Sequence, residues 1–124
     1  MSTKINWIEI PAADFARAIK FYETIFDIRL KTEELPGAPK MALFNDANGE
    51  SFGCVTYGEN FTPGKDGAVV YFDATSVIDK VMERITQSGG QLLTSKIELP
   101  NNIGSIVHFI DSEGNRVALH AEAQ

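Results

Sequence analysis

The sequence predicts an α+β protein in which two paired βαβββ modules form an open, cup-shaped mixed sheet with helices on its outer face. Two stretches carry apolar residues at helical spacing, one from Phe15 to Phe26 and one from Val77 to Ile85. Each follows a short alternating stretch and precedes three more. The last strand of each half is introduced by an Asp-x-x-Gly turn, Asp46-Ala47-Asn48-Gly49 in the first and Asp111-Ser112-Glu113-Gly114 in the second. The order is therefore an internal repeat of supersecondary structure. It divides a single domain, residues 1–124, into a first module at about 4–57, a linker at about 58–67 and a second module at about 68–122.

Ile5 to Pro11 alternates as a strand, with Ile8 and Ile10 on one face and Trp7 and Glu9 on the other, and Pro11 ends it. Asp14 caps the first helix, whose apolar face is Phe15, Ala18, Ile19, Tyr22, Ile25 and Phe26. A strand is expected at about Ile28 to Lys31, then a loop through Leu35-Pro36-Gly37-Ala38-Pro39 and a strand from Lys40 to Asn45. Counting outward from the first Asp-x-x-Gly turn sets Phe44 opposite Phe52 and Ala42 opposite Cys54. Gly58 to Gly67 has proline, glycine and charge without periodicity. Ala68 to Asp73 then reads as a strand, with Thr75 or Ser76 capping the second helix and Gly89-Gly90 stopping it. Gln91 to Ile97 is a strand and Pro100-Asn101-Asn102 a loop.

The final hairpin, Ser105 to His120, can be placed in register. A type I turn followed by a left-handed Gly114 sets Asp111 opposite Asn115. Phe109 then faces Val117, Val107 faces Leu119, Ile110 faces Arg116, His108 faces Ala118 and Ile106 faces His120. Opposite residues share a face. One face, Val107, Phe109, Val117 and Leu119, is fit for burial under a helix. The other carries both histidines of the chain beside an alanine.

Composition excludes several classes of partner. Of the 124 residues 44% are hydrophobic and 23% charged, enough for one packed core and too apolar for disorder. The formal net charge is −6 without a basic cluster, which argues against nucleic acid and anionic membrane. No segment reaches membrane-spanning length and the amino-terminal stretch lacks the pattern of a secretory leader, so a cytoplasmic location is expected. The single cysteine, Cys54, allows no internal disulfide and gives no zinc spacing.

The segment WIEIPAADFARAIKFYETIFDIRL, with its D-x-x-R-A-x-x-F-Y core, and the segment FIDSEGNRVALH together resemble the vicinal oxygen chelate superfamily of glyoxalase I, bleomycin-resistance proteins and extradiol dioxygenases. The resemblance implies paired βαβββ modules around a sheet cup, often completed in a homodimer. In glyoxalase I, four side chains inside that cup hold a divalent metal. Carried over residue by residue, those positions fall at Trp7, Cys54, Gly67 within a residue or two, and Ala118. An indole nitrogen has no free lone pair, and glycine and alanine have no side-chain donor. No metal and no other cofactor is therefore expected, and glyoxalase I activity itself is not expected.

By strand parity the cup face collects Trp7, Glu9, Phe44, Phe52, Cys54, Thr56, Val69, Tyr71, His108 and His120. Aromatic walls with few polar groups suit a small organic molecule, with Trp7 filling or covering the former metal space. The expected function is metal-free binding of such a ligand by a glyoxalase/bleomycin-resistance-like homodimer. An alternative is a lyase or isomerase in which His108, His120 and Glu9 perform acid–base chemistry, or in which the same three make a rearranged metal site. A further alternative is a non-catalytic interaction module whose cup is closed by its own partner. Against a functional role, the histidines can be hydrogen-bonded structure, Glu9 can pair with Arg116 or a loop lysine, and the phenylalanines can be packing.

Overall fold

Asp14 starts the first helix as its sequence position demands: its Oδ1 accepts from the Arg17 N–H at 3.0 Å. In the computed structural model, which describes residues 3–124, that helix is α1, Phe15–Phe26, and follows β1, Ile8–Pro11. Strands β2 (Lys31–Glu33), β3 (Lys40–Asn45) and β4 (Ser51–Tyr57) complete the first half. The second half repeats the order with β5 (Val70–Asp73), α2 (Ile78–Gln87), β6 (Gln91–Leu92), β7 (Ile97–Leu99), β8 (Gly104–Ile110) and β9 (Arg116–Ala121). The sheets run β2-β3-β4-β1 and β6-β8-β9-β5, with β7 pairing β8 farther along. In each, the strand before the helix pairs in parallel with the last strand and the rest is antiparallel. Both sheets are open and mixed, the architecture expected from the repeat.

The β8–β9 register agrees with the count from the turn at every pair: His108 faces Ala118, Ile106 faces His120 and Asp111 N–H donates to Asn115 O at 2.9 Å. Gly114 has φ +95°, the left-handed conformation that the three-residue loop requires. At the other end of β8, Gly104 has φ +110°, and a Cβ there would run into the Ala121 carbonyl.

The β3–β4 hairpin departs from its count. Its turn closes as expected, with Asp46 N–H donating to Glu50 O at 2.8 Å and Asn45 opposite Ser51. A bulge follows between Phe44 and Asn45, so Phe44 faces Gly53 rather than Phe52, and Ala42 faces Val55 rather than Cys54. The extra residue is Phe52. The shift puts Phe44 on the helix-facing side, 1% exposed, with its ring 5.6 Å from Tyr22 and 5.2 Å from Phe72. Without the bulge that ring would lie on the opposite face of the sheet.

Other boundaries move for local reasons. The strand expected at Ile28–Lys31 begins at Lys31, because Asp27 turns left-handed and Glu23 accepts from Leu30 N–H at 2.9 Å, holding the exit against α1. Neither Thr75 nor Ser76 caps α2. Val77 occupies the N-cap, Ser76 has φ +70°, and the Thr75 hydroxyl donates to Asp73 at 2.6 Å. The strand expected from Gln91 to Ile97 splits into β6 and β7, since the backbone bends at Thr94, whose hydroxyl accepts from His108 N–H at 3.2 Å.

One apolar core joins both halves: Phe21, Tyr22 and Ile25 of α1 meet Phe44 and Val55 of the first sheet and Phe72, Phe109 and Leu119 of the second. The β8–β9 turn is anchored on the first half. Glu113 accepts from the Ala13 and Asp14 N–H groups at 2.9 and 2.7 Å and from Arg17 Nε at 2.8 Å. Burial opposes the Glu113 carboxylate, but Arg17, Asp14 N–H and Ser112 outweigh it and hold its pKa below the ordinary value. Asp111, 3% exposed, accepts from the Tyr22 hydroxyl at 2.6 Å, from Glu113 and Asn115 N–H and from the Asn115 amide. Asn115 reaches on to the Pro11 carbonyl at 2.7 Å. Removing the carboxylate in Asp111→Ala strands several buried donors and is expected to destabilise the fold by roughly 3 kcal/mol. Tyr22→Phe leaves Asp111 its other donors and should cost about 1 kcal/mol; urea unfolding of both variants reads the difference.

Candidate functional site

Register decides which side chains meet on the face away from the helices. On β9, Ala118 lies between Tyr71 of β5 and His108 of β8. Alanine is small and fully buried there, so the two larger neighbours reach each other over it. The Tyr71 hydroxyl lies 2.7 Å from His108 Nε2, and Arg116 Nε donates to His108 Nδ1 at 3.0 Å. A guanidinium only donates, so Nδ1 is the unprotonated nitrogen and Nε2 carries the proton. Nε2–H therefore donates to the phenol oxygen. The Tyr71 proton is left free to be given outward, from a ring that is 48% exposed.

Burial first and the adjacent Arg116 second hold the His108 pKa below its ordinary value. The second histidine, His120, directs Nε2 to the Ile103 carbonyl at 2.7 Å and does not join His108, but it lines a cavity of about 440 Å³ together with Tyr71. Glu9 is exposed and lines a cavity of about 200 Å³ with Arg116, yet no ion pair joins them. Trp7 is 40% exposed; Val69 is half-buried. Thr56 is buried and donates to Lys40 O at 3.3 Å. Phe44 lies in the core and Phe52 stacks on it at 5.7 Å, both on the helix side of the bulge rather than on this face. Of the expected aromatic lining, Trp7 lies beside Cys54 on the first sheet and Tyr71 stands on the second.

Cys54 is buried opposite Glu9 on β1. Its thiol is pushed up to about 11, by burial first and the Glu9 carboxylate second, with the Trp7 indole offsetting part of the rise. At neutral pH it is a thiol, not a thiolate. Among the described residues, no group of three or more His, Cys, Asp and Glu side chains is placed to hold a metal ion. No described helix is long and apolar enough to cross a membrane.

The model of the Glyoxalase/Bleomycin resistance protein/Dioxygenase superfamily matches residues 4–119. The chain belongs to this superfamily. A glyoxylase-like domain-containing protein of Didymella fabae is 33% identical over 121 residues, covering 94% of this chain and 91% of the relative. Among solved structures, the fosfomycin resistance protein FosX of Listeria monocytogenes superposes with a TM-score of 0.72 at 20% identity, over 98% of this chain and 93% of FosX. A glyoxalase/bleomycin resistance protein/dioxygenase family enzyme of Burkholderia phytofirmans gives 0.68 at 15% identity, over 97% and 99%. One FosX structure holds manganese(II) and a dihydroxypropylphosphonic acid.

The resemblance places the superfamily's metal at Trp7, Cys54, Ala118 and Gly67 within a residue or two, and those side chains do not fit it. Cys54 would be a lone soft ligand, Ala118 offers no donor and is roofed by the Tyr71–His108 pair, and Gly67 has only backbone to give. The hydrogen-bond chain on Ala118 was not legible as a unit in the sequence. Strand parity assigns Tyr71 and His108 to this face, but their meeting depends on the parallel β5–β9 register, and the sequence offers Arg116 only as one possible partner of Glu9.

The depressed pKa of His108 has a definite sign. The neutral ring is favoured in the folded chain, so its contribution to stability is complete above pH about 6.5 and is lost as pH falls through the lower folded value. In Arg116→Leu the His108 pKa should rise but stay below the ordinary value, because burial, the larger cause, persists. Proton NMR titration of the imidazole measures the rise, and nitrogen shifts report a redistribution of the tautomers.

Proposed function

We propose that this chain is a metal-free member of the superfamily that holds a small organic molecule on the concave face of its sheets. The observation that carries this reading is the hydrogen-bond chain from Arg116 through His108 to Tyr71, built over the alanine that stands where the superfamily has a ligand. Its chemistry supports a fixed donor. Arg116 selects the tautomer, His108 occupies the phenol oxygen, and the Tyr71 O–H is aimed at whatever acceptor lies in front of it. A carbonyl or ether oxygen on a planar, partly apolar body suits that donor, with Leu99 and Ile106 as the apolar wall of the cavity that Tyr71 lines.

The same geometry weighs against His108 as the base of a lyase or isomerase. Its unprotonated nitrogen is already occupied by Arg116, and a neighbouring guanidinium disfavours an imidazolium. The acid–base alternative then rests on His120 and Glu9. A homodimer is supported by the exposed apolar side chains that share the concave face of the second sheet, Tyr71 at 48% and Ile97 at 40%. A cytoplasmic location suits the lone buried thiol.

The test is a thermal-shift screen of small carbonyl and ether compounds against the wild type. Tyr71→Phe should weaken the compound that binds roughly tenfold without lowering the melting temperature. Titration with zinc, nickel, manganese(II) or iron(II) should leave the melting temperature unchanged, since a tight metal stabilises by mass action. A stoichiometric metal that is lost on His120→Ala overturns the reading in favour of a rearranged metal site.

A further inference from the structure

The geometry points to a second ligand site on the helix side of the sheets, one that takes an aromatic or alkyl monocarboxylate. It is a cavity of about 380 Å³ between the exit of α1 and one face of α2, floored by Phe44, Phe52 and Phe72 and walled by Val81, Lys80 and Arg84. That volume accommodates one small ligand.

The floor exists because of the β-bulge. Alternation would send Phe52 to the concave face. The bulge sends it instead onto Phe44, with the rings 5.7 Å apart and 21° from parallel, and within 6.4 Å of Phe72. Phe52 remains 37% exposed. An aromatic ring re-aimed by a bulge and left open toward a cavity is a stacking surface waiting for a flat or apolar body.

The wall supplies the charge preference. Lys80 and Arg84 stand one helical turn apart on α2, and among the described residues neither makes an ion pair or a side-chain hydrogen bond. Like charges at this spacing repel. The chain as a whole is acidic, with a net charge of −6, yet this wall of the cavity carries two cations without an internal partner. The acids that also line the cavity, Asp27 and Asp73, belong to the α1 exit and to β5. Asp73 already accepts from Thr75 N–H at 3.0 Å and from its hydroxyl at 2.6 Å, and neither acid pairs with Lys80 or Arg84. A ligand carboxylate against α2 would satisfy both cations while its body covers Phe52. Nothing in this cavity overlaps the Tyr71–His108–Arg116 group.

The experiment compares 2-naphthoate with 2-naphthol by NMR titration of the whole chain. Naphthoate should bind at least about tenfold more tightly, a difference of about 1.4 kcal/mol. It should shift the amides of Phe52, Lys80 and Arg84 and leave those of Tyr71 and His108 in place. The paired change Lys80→Gln with Arg84→Gln should remove the preference, and Phe52→Leu should weaken both probes. Tyr71→Phe should weaken neither. Equal affinity for the acid and the phenol, shifts confined to the concave face, or no binding of either probe overturns the site. So does a concentration-dependent dimer that Phe52→Leu dissociates, because the cavity then belongs to a second copy. Spectra of each free variant with wild-type dispersion confirm that a lost signal is lost binding.

Discussion

A single buried carboxylate ties the two halves of this chain together. Asp111 sits at the turn of the last hairpin and accepts four donors, from the Tyr22 hydroxyl of the first helix and from Glu113 and Asn115 of its own turn. The phenol beside it is driven well above its ordinary pKa, by burial first and by the Asp111 charge second, so it stays protonated and donating. A buried charge is tolerated only when paired or hydrogen-bonded, and here one donor, Tyr22, stands 89 residues away in the first module. The consequence reaches the site. By fixing the turn that joins β8 to β9, this network fixes which residues of those strands stand opposite one another, and so which side chains flank Ala118.

How far the sequence discloses such a fold depends on whether the deciding interaction is local. The last hairpin was legible to the residue because a turn with a left-handed Gly114 has one way to close, and every later pair follows by counting. The β3–β4 hairpin has the same turn chemistry and closes the same way, yet its strands slip after one pair. There the burial of Phe44 between Tyr22 and Phe72 outweighs the ideal ladder, and those partners lie on other elements. Counting from a turn cannot see them. The same limit separates the site residues. The sides taken by Cys54, Thr56, Tyr71, His108 and His120 follow from parity, whereas the Tyr71–His108 contact needs the β5–β9 register, which is set across a helix-containing crossover.

Ala118 shows how one small residue redirects a site. A carboxylate at that position would point between β5 and β8 and occupy the space where the phenol and imidazole meet. With a methyl group there, the two rings close over the strand, at 88° to each other and 5.3 Å between centroids. Arg116 then completes the arrangement from two residues along the same strand. The methyl group at Ala118 and the hydrogen-bond chain over it are thus one arrangement, which is why a residue without a donor there does not leave an empty face. Cys54 follows the same logic on the other sheet, where burial beside Glu9 keeps the thiol protonated and makes it packing for Trp7 rather than a reactive group.

The two faces of the first sheet are coupled through the bulge. Strand parity permits Phe52 to serve only one side at a time, and one inserted residue moves it from the concave to the helix-facing side. The concave side of the first sheet is left without both phenylalanines, and Trp7 is its exposed ring beside Cys54. The helix side gains a floor of Phe44, Phe52 and Phe72, with Asn45 beside it and the cations of α2 along one wall. On the reading proposed here, hydrogen-bond direction would select at one face and charge at the other, so the ligands proposed for the two differ in kind, an oxygen acceptor on a neutral body for the first and an anion on an apolar body for the second.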